Sequence, residues 1–577
     1  MTERRFSVWA PTAATVDLVA GEGAIAMRAD GFGWFICDVD VATSEEYSFR
    51  VDGSEPMPDP RSRSQPGGVH GPSRVVVSTP RPVDAQWRGF AFAHAIIYEL
   101  HVGTFTPEGT FDGAITRLEH LRQLGINAVE IMPVAQFPGR RGCGYDGVDL
   151  FAPHAAYGGP EGLQRLVRAC HTRGIAVIID VVYNHLGPEG DYLGAFGPYF
   201  TERYNTPWGS AFNYDGEQSD EVRRFVLDNV EMWLCDYGCD GLRLDAVHAI
   251  IDTSPTHILE AISVRVDQLA HELDRDLWVI AESDANDPRL VRDRALGGYG
   301  LTAQWNDDLH HAIHALLTGE RHGYYEDFGE PEEVITSLRD VFVYGGRFSR
   351  HRKRTVGRHA GDLPRSRFIT YSQNHDQVGN CAAGDRLCHL VSDGRARMAA
   401  ALTLLSPMVP MLFQGEEWAA STPFQYFTDL GDEHLRKAVT NGRRREFRAF
   451  GWAPESVPDP QAPATFQRSK LDWDEVGDPG HSEMLDWYRA LITLRREGRE
   501  ADETREQLDA QYDSTRQLLL YSHRDLLVCC NLGDETHELP EAAGAELLLS
   551  SAGSIAAGPL PMVPADSVSV WKAAGTK

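Results

Sequence analysis

Between residues 96 and 413, short apolar runs alternate with stretches of helical period, eight times over. "IIYELH" leads into "DGAITRLEHLRQLG", "INAVEIM" into "PEGLQRLVRACHTRG", and "IAVIIDV" into "SDEVRRFVLDNVEMWLCDYG". The runs stand at 96–101, 126–132, 175–181, 241–245, 277–282, 301–305, 368–373 and 409–413. A strand buried on both faces is apolar throughout, and a helix between two such strands makes them parallel. Gly125, Gly174 and Gly238 stand where helices would stop, in the left-handed position that ends a helix before a strand. Eight β-then-α units predict an α/β protein built on a (β/α)8 TIM barrel, with long connections after the second, third and sixth runs.

The flanks follow a different rhythm. "FSVWAPTAATVDLV" to "EEYSFRVDG" reads as short alternating strands with turns, a small N-terminal β-sandwich. The Pro-, Gly- and Ser-rich "SEPMPDPRSRSQPGGVHGPS" reads as a connector. After about residue 500 the helical period stops, and "RQLLLYSHRDLLVCCNLG" and "SVSVWK" read as strands of a C-terminal β-sandwich. A chain of 577 residues exceeds one simple core, and the expected division is 1–90, 91–500 and 501–577.

A formal net charge of −29 speaks against nucleic acid or an anionic membrane surface as partner and suits a neutral substrate. No apolar run reaches the roughly 20 residues of a membrane span, and "MTERRFSVWAP" lacks a leader's apolar stretch, so a cytoplasmic location is expected. The nine cysteines form no CxxC pairs, and HExxH is absent. Buried thiols, with no metal and no cofactor, are the expectation. "HHAIH", His310 to His314, puts His310 and His314 on one helical face, where packing or exposure outweighs metal binding.

In a barrel the reactive groups stand at the C-terminal ends of the strands. The third run ends in Asp180, with Asn184 and His185 beyond; the fourth in Asp245, then His248; the fifth in Glu282; the seventh in Asn374, His375 and Asp376. In "DGLRLDAVHA" Arg243 and Asp245 lie two residues apart and so point to one side of the strand, toward the core. Buried charges need partners, and the two can supply each other. Carboxylates on three strands facing one mouth are what glycosidic cleavage requires: one attacks or activates water, another protonates the leaving oxygen.

"DVVYNH", "GLRLDAVH", "AES" and "NHD", in that order, resemble the four short motifs of the α-amylase superfamily of glycoside hydrolases. The resemblance implies Asp245 as nucleophile, Glu282 as general acid/base and Asp376 as stabiliser of the oxocarbenium-like transition state. It implies that Arg243 holds Asp245, that His185 and His375 bond sugar hydroxyls, and that Tyr145 stacks on the sugar face. Partial burial and a second carboxylate would raise the pKa of Glu282. The superfamily retains anomeric configuration, which implies carboxyl groups about 5–5.5 Å apart. Many α-amylases use the residue corresponding to Asn184 for calcium, but no full set of oxygen ligands is evident here.

Within the superfamily, "NHDQVGN", "AESDANDPRLV", "AQWNDDLHHAIHALLTGE" and "FQGEEWAASTPFQYFTD" resemble the maltooligosyltrehalose trehalohydrolases. Branching enzymes, the alternative, usually carry an acid where Gln377 stands. The implied substrate is maltooligosyltrehalose, an oligosaccharide, with a synthase upstream as a pathway link. His248 and Gln377 are then expected to bind the leaving trehalose. For Trp305, Asn306 and Asp308, contact with it and a capping or packing role both stay open.

Overall fold

In the computed structural model the eight runs close into one parallel barrel. Residues 4–21, 23–39, 45–76, 86–449, 453, 457–553 and 560–572 are described. The barrel strands are β1 (Ile97–Leu100), β2 (Ala128–Ile131), β3 (Ala176–Val181), β4 (Gly241–Leu244), β5 (Trp278–Ala281), β6 (Ala303–Trp305), β7 (Phe368–Thr370) and β8 (Val409–Phe413). Each pairs in parallel with the next, and β8 returns to β1 with Leu412 opposite Tyr98. Every strand residue is buried, which is why the runs are mainly apolar.

Around the barrel run α1 (Phe111–Leu124), α2 (Gly159–His171), α3 (Ser219–Glu231), α4 (Ile258–Leu273), α5 (Asp307–Thr318), α6 (Pro331–Asp340), α7 (Asp393–Leu404) and α8 (Pro479–Arg496). Thr110 caps α1 by accepting from the Gly113 amide, and Gly125, at φ 101°, ends it in the left-handed conformation. Gly174 and Gly238 take the same sense of φ ahead of β3 and β4.

Because strand side chains alternate, each strand sends every second residue into the barrel. Ile97, Ala128, Ala176, Ile178, Trp278, Ile280, Ala303, Ile369, Val409 and Met411 pack into one apolar cluster there. On four of these columns the next residue up is an acid: Glu99 above Ile97, Glu130 above Ala128, Asp180 above Ile178, Glu282 above Ile280. Arg243 and Asp245 continue the column begun by Gly241. A greasy floor thus carries a charged upper storey. The three long connections rise on that side. They carry the hairpins Ala135–Gln136 with Asp149–Pro153, Phe200–Thr206 with Gly209–Phe212, and Arg347–Ser349 with Arg354–Val356.

The N-terminal strands form a three-stranded and a four-stranded sheet. The segment expected to be a mere connector instead docks on the barrel. Arg61 pairs with Asp228 of α3 at 2.6 Å, Arg63 pairs with Asp236 at 2.6 Å, and Gln65 is fully buried. The C-terminal domain is a five-stranded antiparallel sheet with a two-stranded ribbon, His537–Glu538 with Met562–Val563. One face carries its own apolar cluster; elsewhere Ser567–Lys572 packs on α7 and Leu508–Asp513 on α6.

Candidate active site

The centre of the site is one guanidinium. Arg243 is fully buried on β4 and lies over the Trp305 ring, 4.3 Å from its centroid. Its Nη1 donates to both oxygens of Asp180, at 3.0 and 2.9 Å, and to Oδ1 of Asp245 at 2.8 Å. Its Nη2 stands 3.8 Å from Oε2 of Glu282. The neighbouring strand ends therefore bring Asp180, Asp245 and Glu282 onto a single cation. Asn184 fixes the remaining oxygen of Asp245 through Nδ2 at 2.9 Å, and its own Oδ1 faces Nδ1 of His185. That commits its amide to the site.

Ala246 follows Asp245 at φ 40° and ψ 51°, a left-handed conformation that is costly outside glycine and tends to cluster at functional sites. Here it turns the Ala246 N–H onto Oε2 of Glu282 at 2.5 Å. Burial lifts Glu282 well above the usual carboxylate range; Arg243 opposes this, while Asp245, Asp376 and Asp307 add to it. The expected rise is present, and its main cause is desolvation.

Asp376 lies at the mouth with its side chain 49% exposed, Oδ1 3.6 Å from Nε2 of His375. His375 is stacked on Tyr145, centroids 5.1 Å apart, and the Tyr145 hydroxyl lies 2.7 Å from His375 Nε2 and 2.6 Å from Asp180. Both nitrogens of His375 are thus engaged by the protein, Nδ1 by Glu99. Those of His185 meet Asn184 and the Tyr145 carbonyl.

The other anticipated residues separate. His248 stands exposed on the lip, 3.9 Å from Asp284. Gln377 accepts from the Asn374 amide at 3.1 Å and closes the cap of the turn His375–Gly379, so its carbonyl is used structurally. Asn306 is buried and donates to the Val341 carbonyl; Asp308 accepts from Asn286 and the amides of Val343 and Tyr344. Both are structural. His310, His311 and His314 are buried on α5, with His310 bonded to Ser372 and Tyr325. No metal-binding group occurs among the described residues.

Several residues here had escaped the sequence reading. Trp208, 48% exposed at a hairpin tip, stacks on His185 with centroids 5.0 Å apart. Asp307, at the first turn of α5, accepts from the Tyr371 hydroxyl, and burial raises it to about 7. Glu99 is the third. Only its odd position, an acid in a strand buried on both sides, could have drawn attention to it.

Residues 62–204 match the family model described as the alpha amylase catalytic domain, and residues 509–570 match a domain of unknown function, DUF3459. A malto-oligosyltrehalose trehalohydrolase from Arthrobacter ramosus is 48% identical over 567 residues, 96% of this chain and 97% of that protein. The chain belongs to the malto-oligosyltrehalose trehalohydrolase family. A trehalohydrolase from Saccharolobus solfataricus is also 48% identical, over 85% of each chain. A Salmonella typhimurium crystal structure superposes with a TM-score of 0.90 at 37% identity, covering 99% of this chain and 97% of that one. A 1,4-alpha-glucan branching enzyme from Mycolicibacterium paratuberculosis is only 27% identical and matches 52% of this chain. The trehalohydrolase likeness is thus far fuller than the branching-enzyme one.

Proposed function

We infer that this chain hydrolyses the α-1,4 bond next to the terminal trehalose of maltooligosyltrehalose, with retention of configuration, and releases trehalose. The observation that carries the chemistry is that Asp245 and Glu282, at the ends of adjacent strands, meet one buried guanidinium. Asp245 attacks the anomeric carbon while Glu282 gives its proton to the departing trehalose oxygen, leaving a glycosyl ester on Asp245. Glu282, now a carboxylate, takes a proton from water, and the resulting attack frees Asp245 and the shortened chain. Asp376 faces the developing positive charge. Arg243 and Asn184 hold Asp245 in line, and Tyr145, His185 and His375 wall the sugar at the point of cleavage.

Trehalose would leave through the mouth past His248, whose exposed ring and neighbour Asp284 support a contact with it. Gln377 can contribute only what its cap leaves over. An upstream synthase supplying maltooligosyltrehalose completes the reading. The division 1–90, 91–500 and 501–577 is part of it, with the termini 1–3 and 573–577 outside the described residues. No helix among the described residues is long and apolar enough to cross a membrane. The cysteines form no disulfide there, which supports a reducing, cytoplasmic location.

The test is a product assay with maltotriosyltrehalose, maltopentaose and amylose in parallel. Trehalose and maltotriose from the first, with slow attack on the others, is the expected result. New α-1,6 branches in amylose with little trehalose would make the chain a branching enzyme.

A further inference from the structure

Glu99 is an acid in the barrel interior, 1% exposed, and both its oxygens are spent on one residue. Oε2 accepts from the His375 amide at 2.9 Å and Oε1 meets Nδ1 of the same ring at 2.5 Å. From there a continuous chain runs to the nucleophile: His375 Nε2 to the Tyr145 hydroxyl, the hydroxyl to Asp180, Asp180 to Arg243, Arg243 to Asp245.

The protons in this chain can be counted. Arg243 donates to both oxygens of Asp180, so Asp180 acts as a carboxylate; burial raises it to about 6, below neutral pH. The single hydroxyl proton of Tyr145 then belongs to Asp180. Toward His375 that hydroxyl can only accept, so Nε2 must carry a proton. Nδ1 must carry the other one if Glu99 is a carboxylate. We propose that Glu99 is a positioning residue that keeps His375 an imidazolium, and that this cation directs the Tyr145 proton to Asp180 and so orders the chain ending at Asp245.

The groups around His375 agree with that role. Burial alone would lower the ring, but Glu99 and Asp376 outweigh it and Arg243's opposition, and raise His375 to about 9. Glu130 stands beside Glu99 in register on β2, its two oxygens without hydrogen-bond partners. Burial lifts Glu130 well above the carboxylate range, with Glu99 adding. His101 is lowered to about 4 by burial and carries no charge there. Tyr145 and Asp180 accept or relay as counted above. The acid that meets both the amide and Nδ1 of His375 is Glu99, and Glu130 makes no hydrogen bond to the ring.

This inference rests on the proposed reaction, and its test separates the two. Trehalose release by the wild-type enzyme is measured first, from pH 5 to 9. In E99Q the ring loses its anion and should titrate near or below the ordinary histidine value of about 6.5. kcat/KM of E99Q should then fall as pH rises through that range, by at least ~10-fold at pH 8 relative to wild type, with E99D restoring part of the loss. Glu282 also titrates, so affinity for maltotriosyltrehalose is measured by calorimetry with E282Q as the background. E282Q/E99Q should lose affinity with rising pH where E282Q does not. A pH profile of E99Q that is merely scaled down, or equal pH dependence of binding in the two backgrounds, would overturn the proposal. Should E99Q fail to fold, E99D must show a smaller shift in the same direction; an unshifted E99D profile overturns it equally. Absence of trehalose release by the wild type would instead overturn the reaction.

Discussion

Asp245 and Glu282 are both carboxyl groups of buried or half-buried strand ends, yet their surroundings differ in the way the proposed nucleophile and proton donor require. Asp245 takes a hydrogen bond from a guanidinium and another from an amide, the setting that stabilises an anion. Glu282 has the same guanidinium only at 3.8 Å, and its main influence is desolvation, the setting that keeps a proton. Asp245→Asn replaces one oxygen by an amide of nearly equal size. It should leave thermal unfolding close to wild type and, with Asp245 the proposed nucleophile, lower kcat by at least ~10³-fold. Near-normal turnover of a folded D245N would move the nucleophile elsewhere. The parity of Arg243 and Asp245 made this pair legible in the sequence, because i and i+2 on a strand share a side whatever the rest of the chain does. The Ala246 N–H was not legible: it donates to Glu282 only because a non-glycine residue takes a left-handed turn, and nothing in the string of residues announces that strain.

At the scale of elements, all eight strands stand where the apolar runs predict, because each strand is buried on both faces and mainly apolar. Loops are another matter. The hairpin that brings Trp208 over His185 joins two elements whose period is clear, but which tip residue returns to the mouth is decided by tertiary packing. The histidines of α5 show the same limit: spacing gave the shared face, while only the fold shows it to be buried. His311 is 6% exposed, packed on Tyr324 and Phe328 with centroids 4.9 and 5.2 Å away, and its Nδ1 has no partner. Burial, with Arg352 and neighbouring histidines adding, lowers it to about 3. A depressed histidine contributes stability that is fully present above its unfolded value of about 6.5 and is lost as pH falls from there toward 3. At about 1.4 kcal/mol per pH unit the loss reaches about 2 kcal/mol by pH 5. His311→Phe keeps the ring packing and removes the proton site. Its melting temperature should therefore exceed that of wild type by more at pH 5 than at pH 8; an equal difference at both would mean that His311 does not titrate on unfolding.

For the whole molecule, the C-terminal sheet is joined to the barrel by packing on α6 and α7 and by one buried ion pair. Arg365, just before β7, donates to Asp502 at 2.6 Å and to the Glu506 carbonyl at 2.8 Å, and also reaches the Arg339 carbonyl in α6. Asp502 is fully buried in the segment leading to the first C-terminal strand and also accepts from the amides of Thr504 and Glu506. Arg365 thus fixes the path of that segment together with the apolar packing of Ala501 and Leu508. Removing one member of such a pair strands a charge in the interior, and the usual cost is about 3–5 kcal/mol. The loss should be local, since Arg365 lies at the N-terminal end of its strand, the opposite end from Asp376. Arg365→Ala is accordingly expected to lower the midpoint of urea unfolding and to open the chain to protease between residues 497 and 508, while kcat/KM at 25 °C stays within about twofold of wild type. A drop in kcat/KM with an unchanged midpoint would mean instead that the C-terminal domain acts on the barrel mouth through this contact, and that the two ends of the barrel are coupled.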